Sequence, residues 1–188
     1  MSQPELTTNF LIKDNILNIE YSVFNKLEQE IYVQNIFKKY SEDGRLQWDT
    51  NIALIKMVSD KIIHISKSTF RIPHFMGVES PSIPSLTKIS SGEIFREKLT
   101  LPLPLTEFNP YVEEDDLDSA PVFSRGIVFS IGFLTNQKDL QIQKNETNNF
   151  YYSDYSFLLN NQELLSSEIF PASIPYYKDM IHSKNLVF

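Results

Sequence analysis

The three histidines, His64, His74 and His182, are the side chains best suited to catalysis or metal binding in this chain. Because the chain has no cysteine, a zinc site would need three converging ligands drawn from histidines and carboxylates. None of the histidines stands in a spacing such as HExxH. His64 lies in the isoleucine-rich segment 61–66, which predicts a sheet residue on the less apolar face of a strand. The sequence therefore predicts neither a metal site nor a cofactor.

A second candidate is the segment 71–76, in which Arg71 and His74 flank a proline. The chain should be irregular here, since proline recurs through residues 73–84 and interrupts regular structure. An exposed histidine beside an arginine could bind an anion. Arg71 and His74 are therefore candidate binding residues, with an ordinary loop histidine as the alternative.

The acidic run 113–118 begins with four consecutive carboxylates, Glu113, Glu114, Asp115 and Asp116. It lacks the alternating Asp-x-Asp-x-Asp-Gly order that wraps a loop around calcium. The run is typical of a solvated loop, and its simplest use is to attract the lysines and arginines of a basic protein partner. These four residues are candidate binding residues.

Aromatic residues cluster between 150 and 157, where the pattern predicts a strand over 150–159. Successive side chains of a strand point to opposite faces, so one face of this strand should be unusually aromatic. Tyr151 and Tyr155 are therefore candidate binding residues, suited to a protein interface or to stacking on sugar rings. Core packing is the alternative explanation.

Local motifs give no support to nucleophilic catalysis. The segment 123–126, Phe-Ser-Arg-Gly, lacks the paired glycines of a nucleophile elbow, and the chain has neither a GxGxxG motif nor a phosphate loop. A pair of carboxylates for glycoside hydrolysis would leave no local signature. A small hydrolase with a histidine and carboxylate centre therefore stays an alternative.

Length and composition limit the number of domains, the kinds of partner and the location that the sequence allows. The 188 residues predict one domain spanning 1–188, and the formal net charge of −7 argues against binding to a phosphate backbone. The N-terminal segment lacks the basic and apolar regions of a signal peptide, and no apolar segment is long enough to span a membrane. These features predict a cytoplasmic protein, or a periplasmic one if a signal peptide was removed. The excess of lysine over arginine is typical of an AT-rich bacterial genome.

Alternation of apolar and polar residues predicts the elements that would position these candidates. Hairpins are expected over 8–23, over 51–66, and over 86–101 around the turn 90–92. A further strand is expected over 122–134, with bulges or close backbone approach at Gly126 and Gly132, and the segment 162–170 could be a strand or a short helix. The segments 73–84 and 102–121 should be long irregular connections.

The alternating pattern of residues 15–25, followed by Gly92-Glu-Ile-Phe and by Leu99-Thr-Leu-Pro, resembles the strands of immunoglobulin-like bacterial modules, including intracellular proteinase-inhibitor-like domains. The resemblance covers about a third of the chain. It implies an all-β fold, an antiparallel immunoglobulin-like β-sandwich with long Pro-rich and acidic loops. It transfers no functional residue.

Together these patterns predict a non-enzymatic protein-interaction module of bacterial origin, such as an inhibitor or an immunity-type protein. Its acidic loop and aromatic strand would engage another protein, without nucleic acid, membrane or cofactor. The alternatives are a carbohydrate-binding β-sandwich that uses the tyrosines near Tyr151, and the small hydrolase.

Overall fold

The computed structural model describes residues 3–40, 43, 45–72, 81–108, 120–135, 142–146 and 148–177. The strands are β1 Glu5–Lys13, β2 Ile16–Phe24, β3 Ile31–Tyr40, β4 Leu46–Asp49, β5 Leu54–Met57, β6 Ile62–Lys67, β7 Ser85–Ile89, β8 Ile94–Pro102, β9 Leu105–Thr106, β10 Val122–Phe123, β11 Gly126–Thr135, β12 Gln143–Lys144, β13 Tyr151–Tyr152, β14 Glu163–Ser166, β15 Phe170–Pro171 and β16 Pro175–Tyr177. Within these ranges, one short α-helix, α1, spans Tyr155–Asn161, and a single 3-10 turn spans Ser59–Lys61. The predicted all-β class is confirmed. In the described part of the chain, no helix is long and apolar enough to cross a membrane.

The hairpin predicted over 8–23 is present and forms a three-stranded sheet in the order β1-β2-β8. Its turn is made by Asp14 and Asn15, which both adopt positive φ, a conformation that these two residue types tolerate. The apolar residues of β2 alternate as predicted, with Leu17 and Ile19 fully buried. This face of the sheet closes one side of the core.

A larger sheet has the order β12-β13-β7-β3-β11-β6-β5, with β14 and β15 also paired to β11, and β4 paired to β3. The β5–β6 hairpin predicted over 51–66 is present. β6 and β11 run parallel, as do β9 and β16 in a third, small sheet, so the prediction of a purely antiparallel sandwich was wrong for these pairs. A parallel pair needs a long crossover between its strands, which alternation within a strand cannot reveal.

The prediction of a hairpin over 86–101 was wrong, although both of its strands are present. β7 pairs with β3 in the larger sheet, whereas β8 pairs with β2 in the three-stranded sheet. The turn between them contains Gly92 at φ +76°, and the side chain of Asn25 donates to the carbonyl of Ile89 at 3.0 Å. The chain therefore changes sheets at this turn instead of folding back on itself.

The strand predicted over 150–159 ends after two residues and is followed by helix α1. Asp154 caps this helix, since its carboxylate accepts a hydrogen bond of 2.8 Å from the backbone of Phe157. The helical residue Leu158 is fully buried in a small cluster with Tyr32, Leu86 and Leu134. The helix thus covers the face of the larger sheet that lies opposite the main core.

Strand β11 is the centre of the larger sheet. At Ser130 and Ile131 it pairs with β6 and with β14, and at Phe133 it pairs with β3 and with β14. Since a strand has two edges, β6 and β3 follow one another along the same edge of β11. The pairing with β6 ends at Lys67, opposite Ile131, and the pairing with β3 ends at Val33, opposite Phe133, so β11 changes partner at Gly132. We refer to this junction of β3 and β6 as the gap.

The main core lies between the three-stranded sheet and the larger sheet. Its buried side chains come from β2 and β8 on one side and from β3, β5, β6 and β11 on the other. Ile63 and Ile65 of β6 and Phe129 of β11 are fully buried there. The interior faces of two packed sheets explain why apolar residues recur at every second position.

Candidate functional site

A cleft of about 540 Å³ lies among residues of β3, β4, β7 and the β12–β13 hairpin. Four aromatic rings and three charged side chains contribute to its lining. Its volume falls in the range of about 300–1,000 Å³ that is usual for small-molecule sites. We therefore take it as the candidate functional site and refer to it as the aromatic cleft.

The aromatic rings of the cleft are Trp48, Phe150, Tyr151 and Tyr152. The rings of Trp48 and Phe150 meet nearly edge to face, with centroids 5.7 Å apart. Tyr151 packs edge-on against Tyr32, with centroids 5.2 Å apart, which fixes the orientation of its ring. The cleft therefore holds rings that are oriented before any ligand arrives.

The β12–β13 hairpin places Tyr151 and Tyr152 in the cleft. Tyr151 pairs with Lys144 on one side and with Leu86 on the other. Tyr152 is 42% exposed, and its hydroxyl donates to the side chain of Gln143 at 2.7 Å. Of the two candidate residues taken from the aromatic run, Tyr151 lines the cleft.

The charged residues of the cleft are Lys38, Lys144 and Glu146, all of them exposed. The ammonium of Lys38 lies 4.9 Å from the centre of the Trp48 ring, in a cation–π contact. Donors and acceptors thus stand beside apolar ring faces. This combination can bind a ligand that has both an apolar face and hydroxyl groups.

Tyr155, the second candidate from the aromatic run, does not line the cleft. Its hydroxyl donates to the carbonyl of Phe70 at 2.7 Å and accepts from the backbone of Ile72 at 2.9 Å. Tyr155 therefore anchors the segment that follows β6. Arg71 lies in that anchored segment and is exposed.

The remaining predicted binding residues lie outside the described residues. These are His74 and the acidic residues Glu113, Glu114, Asp115 and Asp116. The structure therefore gives no geometry for the predicted anion site or for the acidic loop.

His64 occupies β6 between two core residues, as the sequence predicts. Its Nε2 lies 2.7 Å from the hydroxyl of Ser130, which lies 2.8 Å from the hydroxyl of Ser166. Burial lowers the pKa of His64 below its ordinary value. Within the described ranges, no group of three histidine, cysteine or acidic side chains could hold a metal ion. The side chain of His64 thus contacts a serine, whereas the hydrolase alternative needs a carboxylate beside the histidine.

A buried polar cluster fills the gap between β3 and β6 on the side of the main core. Lys67 Nζ lies 2.5 Å from Glu97 Oε2, and the same carboxylate accepts from the hydroxyl of Tyr21 and, at 2.9 Å, from the side chain of Asn35. The hydroxyl of Thr87 donates to Asn35 at 2.8 Å. The cluster thus joins β2 and β8 of the β1-β2-β8 sheet to β3, β6 and β7 of the larger one.

Burial governs the electrostatics of this cluster. It lowers the pKa of Lys67 because the ammonium loses its hydration, while the adjacent Glu97 carboxylate opposes that change. Burial also raises the pKa of Tyr21, and the charge of Glu97 raises it further. Lys67 is fully buried, so the ammonium is not accessible to a ligand in this conformation.

Sequence reasoning missed this cluster, although the sequence carries a signal for it. Lys67 stands in phase with the core residues Ile63 and Ile65, and Glu97 stands in phase with Phe95 and Leu99. A charge at an interior position of an alternating strand predicts a buried partner of opposite charge.

A second polar cluster fills the opposite side of the same gap. Gln162 joins Gln34 to Thr69 through hydrogen bonds of 2.9 to 3.0 Å, and the hydroxyl of Thr69 donates to Gln34 at 2.7 Å. A Cβ at Gly132 would lie 3.1 Å from atoms of both glutamines. Gly132 therefore provides the close approach that the sequence predicts for it.

Comparison with known proteins gives no relative from which a function could be carried over. No protein-family model matches the chain, and neither a curated protein nor a solved structure matches it.

Proposed function

We propose that this protein is a non-enzymatic carbohydrate-binding module and that its sugar site is the aromatic cleft. The proposal is carried by one observation: a single cleft of about 540 Å³ is lined by four aromatic rings, Trp48, Phe150, Tyr151 and Tyr152. Three of these rings, Trp48, Phe150 and Tyr151, make edge-to-face contacts, so little ordering of side chains would accompany binding.

A sugar has the chemistry that this lining complements. The C–H face of a pyranose ring packs on an aromatic face, and its hydroxyls need both donors and acceptors. Lys38 and Lys144 supply N–H donors, and Glu146 supplies carboxylate acceptors. The cleft therefore offers each kind of contact within one site.

The proposal can be tested by titrating the protein with a panel of neutral oligosaccharides. Trp48 is the only tryptophan, so its fluorescence reports on the cleft directly. For a sugar that binds, we expect Trp48→Ala or Tyr151→Ala to weaken binding by about 2 kcal/mol or more, or roughly thirtyfold, as for other buried aromatic anchors. Because Trp48→Ala removes the fluorophore, calorimetry must measure that variant.

Tyr155→Phe is the matched control, since Tyr155 belongs to the same aromatic run but lies outside the cleft lining. It should leave the affinity unchanged. A glycan array that gives no signal at any sugar would overturn the proposal, as would equal loss of binding in the Tyr151 and Tyr155 variants.

A protein-interaction module is the second candidate, favoured by the net charge of −7 and by the acidic run 113–118. The expected partner is a basic protein. Its recovery in a pull-down should fall when the acidic side chains are replaced by their amides, at Glu113, Glu114, Asp115 and Asp116. Recovery that is insensitive to these substitutions and to salt counts against this candidate.

The immunoglobulin-like relationship and the cytoplasmic location also remain proposals. The packing of two sheets supports the first, whereas the parallel pairing of β6 with β11 argues against it. The absence of cysteine is compatible with the second.

A further inference from the structure

Lys67 contacts the backbone close to Lys38 and Trp48, the two cleft residues that form the cation–π pair. Its ammonium donates to the carbonyl of Thr50, two residues after Trp48. It also donates at 3.1 Å to the carbonyl of Asn35, three residues before Lys38. One buried side chain thus bridges the residue that directly follows β4 and the part of β3 that leads to the cleft.

These two carbonyls lie where the regular strand pairing is interrupted. The register between β3 and β7 shifts between Gln34 and Ile36, so Asn35 occupies a bulge. β4 ends at Asp49, so Thr50 follows the last paired residue of that strand. A buried carbonyl without a partner is costly, and Lys67 satisfies both of these carbonyls.

The ammonium of Lys67 is itself held from the opposite sheet. Glu97 of β8 pairs with it at 2.5 Å, and Tyr21 of β2 lies with its ring centre 5.6 Å from Nζ. A side chain as long as lysine has several rotatable bonds, and this ion pair restricts them. The three-stranded sheet therefore fixes the point from which Lys67 reaches β3 and β4.

We infer that Lys67 is a positioning residue for the aromatic cleft: held by Glu97, it fixes the backbone beside β3 and β4 and thereby the indole of Trp48. The inference rests on the proposed function for the use of the cleft, but the position of Trp48 can be measured without a ligand. Lys38 and Phe150 also contact the indole, so loss of Lys67 should loosen Trp48 without abolishing the cleft.

The test is acrylamide quenching of Trp48 fluorescence in Lys67→Met. Methionine keeps an apolar stem of similar length but removes the ammonium. We expect the quenching constant to rise about twofold, as for a locally loosened segment, with emission shifted to longer wavelength. The far-UV spectrum must stay that of a folded β protein. Lys98→Met is the control, since Lys98 is exposed and adjacent to Glu97 in β8.

A folded Lys67→Met variant with wild-type quenching and emission would overturn the inference. If that variant does not fold, Glu97→Gln decides, because it removes the charge that holds the ammonium while leaving a side chain of the same size. Increased quenching in a folded Glu97→Gln supports the inference, and unchanged quenching overturns it. Failure of the wild type to bind any sugar would overturn the proposed function while leaving the quenching comparison intact.

Discussion

Lys67 Nζ and Glu97 Oε2 lie 2.5 Å apart and join the two packed sheets through the interior of the protein. The Lys67 side chain is 0% exposed and that of Glu97 is 13% exposed, so both charges have lost most of their water. Such desolvation costs several kcal/mol per ion and offsets much of the attraction between the charges. The pair therefore adds less net stability than its short distance suggests.

Glu97→Ala should lower the free energy of unfolding by about 3–5 kcal/mol, because it leaves the buried Lys67 ammonium without its ion-pair partner, and the weaker attraction of Asp49 does not replace that partner. Urea denaturation measures this loss. Lys98→Ala, an exposed neighbour, should change stability by less than about 0.5 kcal/mol. The double variant Lys67→Met/Glu97→Leu should recover part of the loss, since neither charge remains. A double variant less stable than Glu97→Ala would contradict this account.

Gly132→Ala should destabilise the protein by about 1–3 kcal/mol through overpacking. The added Cβ would lie 3.1 Å from the carboxamide atoms of Gln34 and Gln162, which hold each other and Thr69 in place. Thermal unfolding would measure the effect, with Gly132→Ala/Gln162→Ala as a double variant. Because removal of the Gln162 carboxamide takes away one of the two close contacts and frees Gln34 from its hydrogen bond to Gln162, the two changes should cost less together than the sum of their separate costs.

Strand positions could be predicted because alternation records which side of a sheet faces the core. Leu17 and Ile19 in β2 and Ile63 and Ile65 in β6 are buried as that pattern requires. The partner of each strand could not be predicted in the same way. β7 and β8 are separated by a tight turn around Gly92, yet β7 pairs with β3 and β8 pairs with β2 in a different sheet.

The candidate site was predictable only where its residues adjoin in sequence. Tyr151 was found from its aromatic neighbours, whereas Trp48 and Lys38 reach the cleft through long-range pairing of β3, β4 and β7. Helix α1 was missed because the aromatic residues that open it also suit a strand. The cap at Asp154, three residues before Phe157, was the local signal for the helix.

His64 should make stability depend on pH on the acid side of neutrality. Its folded pKa is lowered by burial from the ordinary value of 6.5, so the unfolded chain takes up a proton first as the pH falls. Stability from this group is therefore fully present above about pH 6.5 and is lost as the pH falls through the lowered value. The free energy of unfolding measured from pH 8 to pH 5 should fall less steeply in His64→Gln. An identical slope in the variant and the wild type would contradict the prediction.

Tyr155 and Tyr151 should separate into a structural and a binding role, although both belong to the same aromatic run. Tyr155→Phe leaves the carbonyl of Phe70 and the amide of Ile72 without the hydroxyl that bonds both, so it should cost about 1–3 kcal/mol of stability. The affinity of Tyr155→Phe for any sugar that the wild type binds should not change.

Tyr151→Phe keeps the ring and should retain binding that Tyr151→Ala loses, since the contact proposed for Tyr151 is with its ring face. Calorimetry with all three variants at a temperature where each is folded decides between the roles. Weakened sugar binding by Tyr155→Phe would place that tyrosine in the site and contradict the assignment made from its two backbone hydrogen bonds.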